Sequence, residues 1–412
     1  MTPRERILAA LDHREPDRVP IDLGATASSG ISAIAHARLV RHLGMAGVPT
    51  RVYDVVQQLA RPGRALLDRY GVDVVDVGET FNTEPSDWYG VSLDDGLPAE
   101  FPAWFRPRAN PDGSEDVFDA EGTRIATRPV GATFFDQTCY PWVDGYPADL
   151  RHELAAAMRK VHWAALAISP WDHAAENGFW TKLRANCLRL RSDTDQAIMM
   201  LCGCNLFEWG TFLRRIDNFL LDLADAPKDV ERLLDALMEI HLDGLGHVID
   251  AVGDVADIIR VGDDLGTDLG PFMSPETYRR LFKPRHREIC AFIKSRCRAK
   301  ILLHSCGSIY LLIPDLIEAG FDILNPVQVS ARDMEPARLK REFGRSLVFW
   351  GGGCDTRRVL NRAVPAEVRR HVREQIDTFA PGGGFVFNTV HNILPDVPPQ
   401  NIEAIFDEVL RR

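Results

Sequence analysis

With 412 residues, 45% of them hydrophobic and 26% charged, the chain has the composition of a globular protein, with core enough for one large domain carrying insertions or for two domains. A net charge of −11 argues against nucleic acid or an anionic membrane as partner, and no apolar run reaches the length of a membrane-spanning helix. The first residues, Met1-Thr-Pro-Arg-Glu-Arg-Ile-Leu, lack the apolar core of a signal peptide, and eight cysteines are too sparse for a disulfide framework, so a reducing cytoplasm is the expected location.

The predicted strands begin with Val19–Gly24 and Val72–Gly78, apolar runs closed by glycine. From Phe81 to Asp149 the chain turns rich in Trp, Pro, Gly and Asp. Turn signals at Trp88-Tyr-Gly90, Asp94-Asp-Gly96, Asp112-Gly113 and Glu121-Gly122 mark residues 81–149 as an inserted β-hairpin subdomain, a lid or a dimer surface. Further strands are predicted at Ala197–Cys204, Asp257–Asp264, Ala299–Gly307, Phe321–Val327, Ser346–Gly353 and Gly384–His391. Most are continuous apolar runs, the pattern of strands buried on both faces of a parallel sheet. Helical patterns separate them. Asp229–Val252 has a long apolar period; Ser274-Pro275-Glu276 opens a helix that runs towards Cys297 and is kinked at Pro284. Ile309–Ala319 ends at Gly320, and Pro365–Phe379 stops before Pro381. Eight strands alternating with helices predict a (β/α)8 TIM barrel over residues 1–412, with the insertion after strand 2. The competing arrangement is an open, doubly wound sheet.

In such barrels the active site lies at the C-terminal ends of the strands. Here nearly every predicted strand ends in a polar or reactive group. His304 and Cys306 stand two apart at the end of an apolar run, so a strand continuing through both aims an imidazole and a thiolate at one point, the donor set zinc selects. Cys354, after Gly351–Gly353, and His391 are the candidates to complete the site; three ligands leave one zinc position open to substrate. The competing reading of Cys306 and Cys354 is as small buried residues. Asp263 and Asp264 pair at another strand end, where carboxylates share a proton or bind a polar ligand. With His391 they are candidate acid–base groups, and Asp22, Glu79, Glu208, Gln328 and Asn388 are candidate substrate-binding residues around the mouth. Cys202-Gly-Cys204 is a weak metal or redox signal, and the glycine runs lack a nucleotide-binding framework.

An ordered set of motifs now carries a resemblance: Arg14-Glu-Pro-Asp-Arg-Val-Pro20, Gly262-Asp-Asp-Leu-Gly266, Ser274-Pro-Glu-Thr-Tyr278, His304-Ser-Cys-Gly307, and Pro395 with Pro398-Pro-Gln-Asn-Ile402. Together they resemble the uroporphyrinogen decarboxylase superfamily, in particular its cobalamin-linked branch of methylcobamide:coenzyme M methyltransferase-like proteins. The resemblance implies a (β/α)8 barrel in which the H-x-C pair binds zinc with a third ligand from the last strand. That position, a cysteine in those methyltransferases, falls here on His391, so His391 or Cys354 is left as the third ligand. The arginine-rich motif of the true decarboxylases is missing after Val19-Pro-Ile-Asp22. The implied activity is zinc-dependent transfer of a methyl group between a small molecule (a thiol, a folate, a methyl ether or an amine) and a corrinoid cobalt. Since no D-x-H-x-x-G motif is evident, the methylcobalamin or other corrinoid is expected on a separate corrinoid-binding protein, and pairing of two barrels as a homodimer is a further expectation. The alternative is a metal-independent decarboxylase or lyase acting on a non-porphyrin substrate through Asp263, Asp264 and His391.

Overall fold

The structure is a computed structural model that describes residues 1–45 and 47–412. Seven parallel strands follow one another around the sheet: Val74–Asp76, Ala197–Gly203, Ile258–Gly262, Lys300–His304, Ile323–Asn325, Val348–Trp350 and Phe385–Val386. The segment at Ile21 joins the two edges. Ile21 bridges Phe387 in parallel, the Phe387 amide donates to the Pro20 carbonyl (2.8 Å), and the Asp73 amide donates to the Ile21 carbonyl (2.8 Å). The result is a (β/α)8 barrel whose first strand is reduced to a bridge. The predicted strand Val19–Gly24 is cut short because Pro20 has no amide to donate and the backbone turns at Gly24, φ +91°.

Helix Pro3–Leu11 plugs the N-terminal end of the barrel. Thr2 and Glu5 form its capping box, and Ile7, Ala10 and Leu11 pack against Val74, Ala197, Met199, Ile258, Leu302, Ile323 and Val348. Outer helices, among them Pro227–Val252, Pro365–Phe379 and Pro399–Val409, bury their apolar faces against the opposite face of the strands. The predicted kink at Pro284 is a full break. Helix Pro275–Leu281 ends, and Lys283–Lys294 starts with the proline in its first turn, where a missing amide costs nothing. No helix among the described residues is long and apolar enough to cross a membrane.

Between the second and third barrel strands lie a hairpin, Trp88–Ser92 with Pro98–Pro102, and a four-stranded antiparallel sheet running from Arg108–Ala109 to Asp136–Gln137. Gly96, Gly113 and Gly122 turn these strands at positive φ, whereas Gly90, read from sequence as a turn, lies inside a strand. Phe101, Phe105, Val117, Ile125 and Phe135 form a separate core with Val52, Val55, Val56 and Ala60, so the insertion is anchored to the 31–60 segment.

Candidate functional site

Strand Lys300–His304 ends at His304 rather than running on through Cys306. Partners outside the strand take the next three backbone amides. Ser305 N donates to the Asn325 carbonyl (2.8 Å), Cys306 N to Asp264 Oδ1 (2.8 Å) and Gly307 N to Gln328 Oε1 (2.9 Å). Gly307, at φ +85°, passes so close to Gly266 that a Cβ would come within 2.4 Å of its backbone. This loop, not strand alternation, brings the Cys306 thiol to 3.5 Å from His304 Nε2.

His391 enters from the segment after the last strand, in the left-handed region at φ +67°, and its ring centroid lies 5.8 Å from that of His304. His304, Cys306 and His391 offer ligand atoms all within 4.8 Å of one another. The hydrogen-bond network settles which nitrogen His304 presents. Asn325 Nδ2 donates to the Trp350 carbonyl (2.9 Å), so Asn325 Oδ1 is the atom facing His304 Nδ1, at 2.7 Å. Nδ1 must then carry the proton, leaving the Nε2 lone pair towards Cys306. Burial pushes the pKa of both histidines down, which keeps them neutral as ligands, while burial with Asp264 and Glu208 nearby pushes the Cys306 thiol well up. Two neutral imidazoles and a thiol that a cation would deprotonate make a donor set that fits zinc.

Other residues singled out from sequence separate into two groups. Asp264 and Glu208 stay at the cluster: Asp264 Oδ1 lies 3.5 Å from His304 Nε2, and Glu208 Oε2 accepts from the Asp264 amide (3.1 Å). Burial, with repulsion from Asp264 and Asp263, raises the Glu208 pKa. Glu79 stands in the turn Val77–Thr80, its pKa pushed up to about 7 by burial against the pull of Arg61 and Arg64. Asn388 keeps a buried Oδ1 without a partner while its Nδ2 donates to the Thr389 carbonyl (2.9 Å).

Four assignments are corrected. Cys354 is not in the ligand group; it is 0% exposed within the core, where burial pushes its thiol far above the ordinary value. Asp263 is fully buried and spends both oxygens on helix Phe207–Arg214, accepting from the amides of Phe207 (2.9 Å) and Glu208 (3.0 Å), with His286 Nε2 at 3.3 Å; it anchors a helix N-terminus instead of acting as an acid–base group. Asp22 accepts from Trp350 Nε1 (2.8 Å) and the Ala25 amide (3.0 Å), tying the first strand to the seventh. Gln328, itself buried, accepts from the Gly307 amide (2.9 Å) and donates to Asp268 (2.6 Å), so its oxygen and nitrogen brace the Gly307 loop rather than face a substrate. Sequence reading passed over Arg260, inside strand Ile258–Gly262, although a charge in the middle of an apolar run was a visible signal.

The model of the uroporphyrinogen decarboxylase (URO-D) family matches residues 207–412, half of the chain, including every member of the ligand cluster. The chain belongs to the uroporphyrinogen decarboxylase family. No curated protein matches it in sequence. Among solved structures, this family member is similar to a methyltransferase from Methanosarcina mazei, with a TM-score of 0.56 and 17% identity over 100% of this chain and 99% of that one. That likeness establishes the shared barrel architecture.

Proposed function

We propose that this protein is a zinc-dependent methyltransferase or demethylase that moves a methyl group between a small molecule and a corrinoid cobalt held by a separate protein. The observation that carries the reading is the convergence of His304, Cys306 and His391 within 4.8 Å, with Asn325 presenting the Nε2 lone pair of His304. The ordered motif resemblance and the likeness to a methyltransferase fold support it. Zinc, when bound, supplies a Lewis acid that keeps a thiol acceptor as its thiolate or polarises a substrate oxygen.

The chain's own groups do the rest. Asp264 holds the Cys306 amide and so sets where the thiolate points. Glu208, its pKa raised by burial, stands beside Asp264 as a group able to hold a proton near the reacting atoms. The corrinoid partner would meet the strand C-terminal ends, where His304, Cys306 and His391 come together. A metal-free lyase is the weaker reading, since Asp263, one of its three acid–base groups, has both oxygens committed to backbone amides.

The test combines metal content with methyl transfer. Purified, metal-replete protein should carry about one zinc per chain, and should move methyl groups to or from free cobalamin with a suitable donor or acceptor. Wild-type protein that binds no zinc under reducing conditions would sink the mechanism.

A further inference from the structure

Strand Ile258–Gly262 presents alternate residues to the barrel axis. Ile258 joins the interior apolar layer with Leu302, Ile323, Val348 and Val386. Two residues on, Arg260 projects from the same face, in register with Leu201 and Leu302, one step below the level at which Gly262 pairs with His304. A guanidinium therefore sits in the layer beneath the ligand cluster, and its charge bears on His304, His391, Cys306 and Glu208.

Other arginines at the barrel are pinned: Arg6 by Asp17 and Asp73, Arg18 by Asp73, Arg191 by Asp257. Arg260 forms no ion pair or hydrogen bond among the described residues, and its buried Nε has no partner. Glu208 and Asp264 act on it electrostatically without making an ion pair. Other buried polar atoms of the described residues also lack partners, among them Asp76 Oδ1 at the end of the second barrel strand, Asn388 Oδ1 just after the last one, and the Tyr53 hydroxyl, which lies in the electrostatic reach of Asp22 and Asp76. Folded interiors pair buried charges almost everywhere, so a guanidinium left without a partner inside the barrel points to an anionic ligand that completes it.

We propose that Arg260 anchors a carboxylate of the small-molecule substrate inside the barrel, leaving the reacting end of that molecule at His304, Cys306 and His391. The planar guanidinium fork matches a carboxylate with two parallel hydrogen bonds, and a neutral analogue leaves the charge unpaired. Burial pushes Asp76 up to about 8, so at neutral pH it is mostly uncharged and can donate a hydrogen bond rather than repel an anion. The inference deepens the methyl-transfer reading and takes the site from it.

The experiment measures the melting temperature of zinc-loaded and zinc-free protein at constant ionic strength, with acetate and benzoate against acetamide and benzamide, in wild type, Arg260→Met and Arg260→Lys. The expected result is stabilisation of wild type by a carboxylate and not by its amide, loss of that shift in Arg260→Met, and binding roughly tenfold weaker in Arg260→Lys, which keeps the charge but not the fork. Unliganded Arg260→Met should be at least as stable as wild type, because no native partner is lost. The proposal is overturned if no carboxylate shifts wild type more than its amide does, if the shift survives in Arg260→Met, or if that variant fails to fold, which would make Arg260 a structural counter-charge. Binding is read without turnover. A protein that transfers no methyl group yet shows Arg260-dependent carboxylate binding therefore removes the methyl-transfer reading alone.

Discussion

Asn325 decides which face His304 turns to the barrel mouth: its Oδ1 accepts from His304 Nδ1 at 2.7 Å, while its Nδ2 is held by the Trp350 carbonyl at 2.9 Å. Ser28 adds a hydroxyl at 2.7 Å to the same Oδ1. Three strands and the loop after the first strand thus combine to set one tautomer.

Replacing Asn325 with Leu removes that control while keeping volume. Zinc affinity should fall by roughly 10–100-fold, the range for losing a hydrogen-bond partner behind a metal-bound histidine. Competition with a chromogenic chelator measures it, and unchanged affinity would show that the Asn325 contact is irrelevant to the metal.

Cys306→Ala and His391→Ala should each lose zinc, whereas Cys354→Ala should retain it. The cost of Cys354→Ala should appear in stability, about 1 kcal/mol for a small cavity in the core. Metal analysis beside thermal unfolding separates the two effects; zinc loss from Cys354→Ala with a normal melting temperature would return that cysteine to the ligand set.

Asp263→Ala should act through the fold. The buried carboxylate caps helix Phe207–Arg214 with two amide bonds, and losing them should cost about 2–3 kcal/mol and shift Glu208 at the same helix start. Denaturant unfolding reads the first effect. A variant of wild-type stability that has lost activity would instead restore a chemical role to Asp263.

Acid should destabilise the protein through histidines far from the site. Burial holds His36 and His162 down to about 4, against an unfolded value of about 6.5. The unfolded chain binds protons first, so stability is full above about pH 6.5 and falls as pH drops towards about 4, by up to about 3 kcal/mol per histidine. Urea unfolding across this window should show the slope, and His36→Gln should flatten it; an unchanged slope would mean that His36 does not titrate on unfolding.

Much of this protein is legible along the chain. Apolar runs between helical patterns announce a parallel barrel, His304-x-Cys306 announces a candidate metal-ligand pair, and His391 stands at the end of the last run. These signals are local, because burial on both faces of a strand and the placement of polar residues at its end are written in consecutive residues. What the tertiary structure alone decides is which neighbour takes which role. Asp263 and Asp264 are chemically identical and adjacent, yet one turns to the amides of Phe207 and Glu208 and the other to the amide of Cys306. Cys354 follows a glycine run at a strand end as promisingly as any ligand, but its backbone carries the thiol into the core. Cys306 reaches His304 from a loop held by Asp264 and Gln328, side chains that come from separate strand ends. Arg260 is visible in the sequence as a charge inside an apolar run, but only the structure shows that its buried Nε finds no partner among the described residues. The reason is physical: a residue's type fixes what bonds it can make, but which of those bonds form depends on groups tens or hundreds of residues away that only the closed barrel brings within 3 Å.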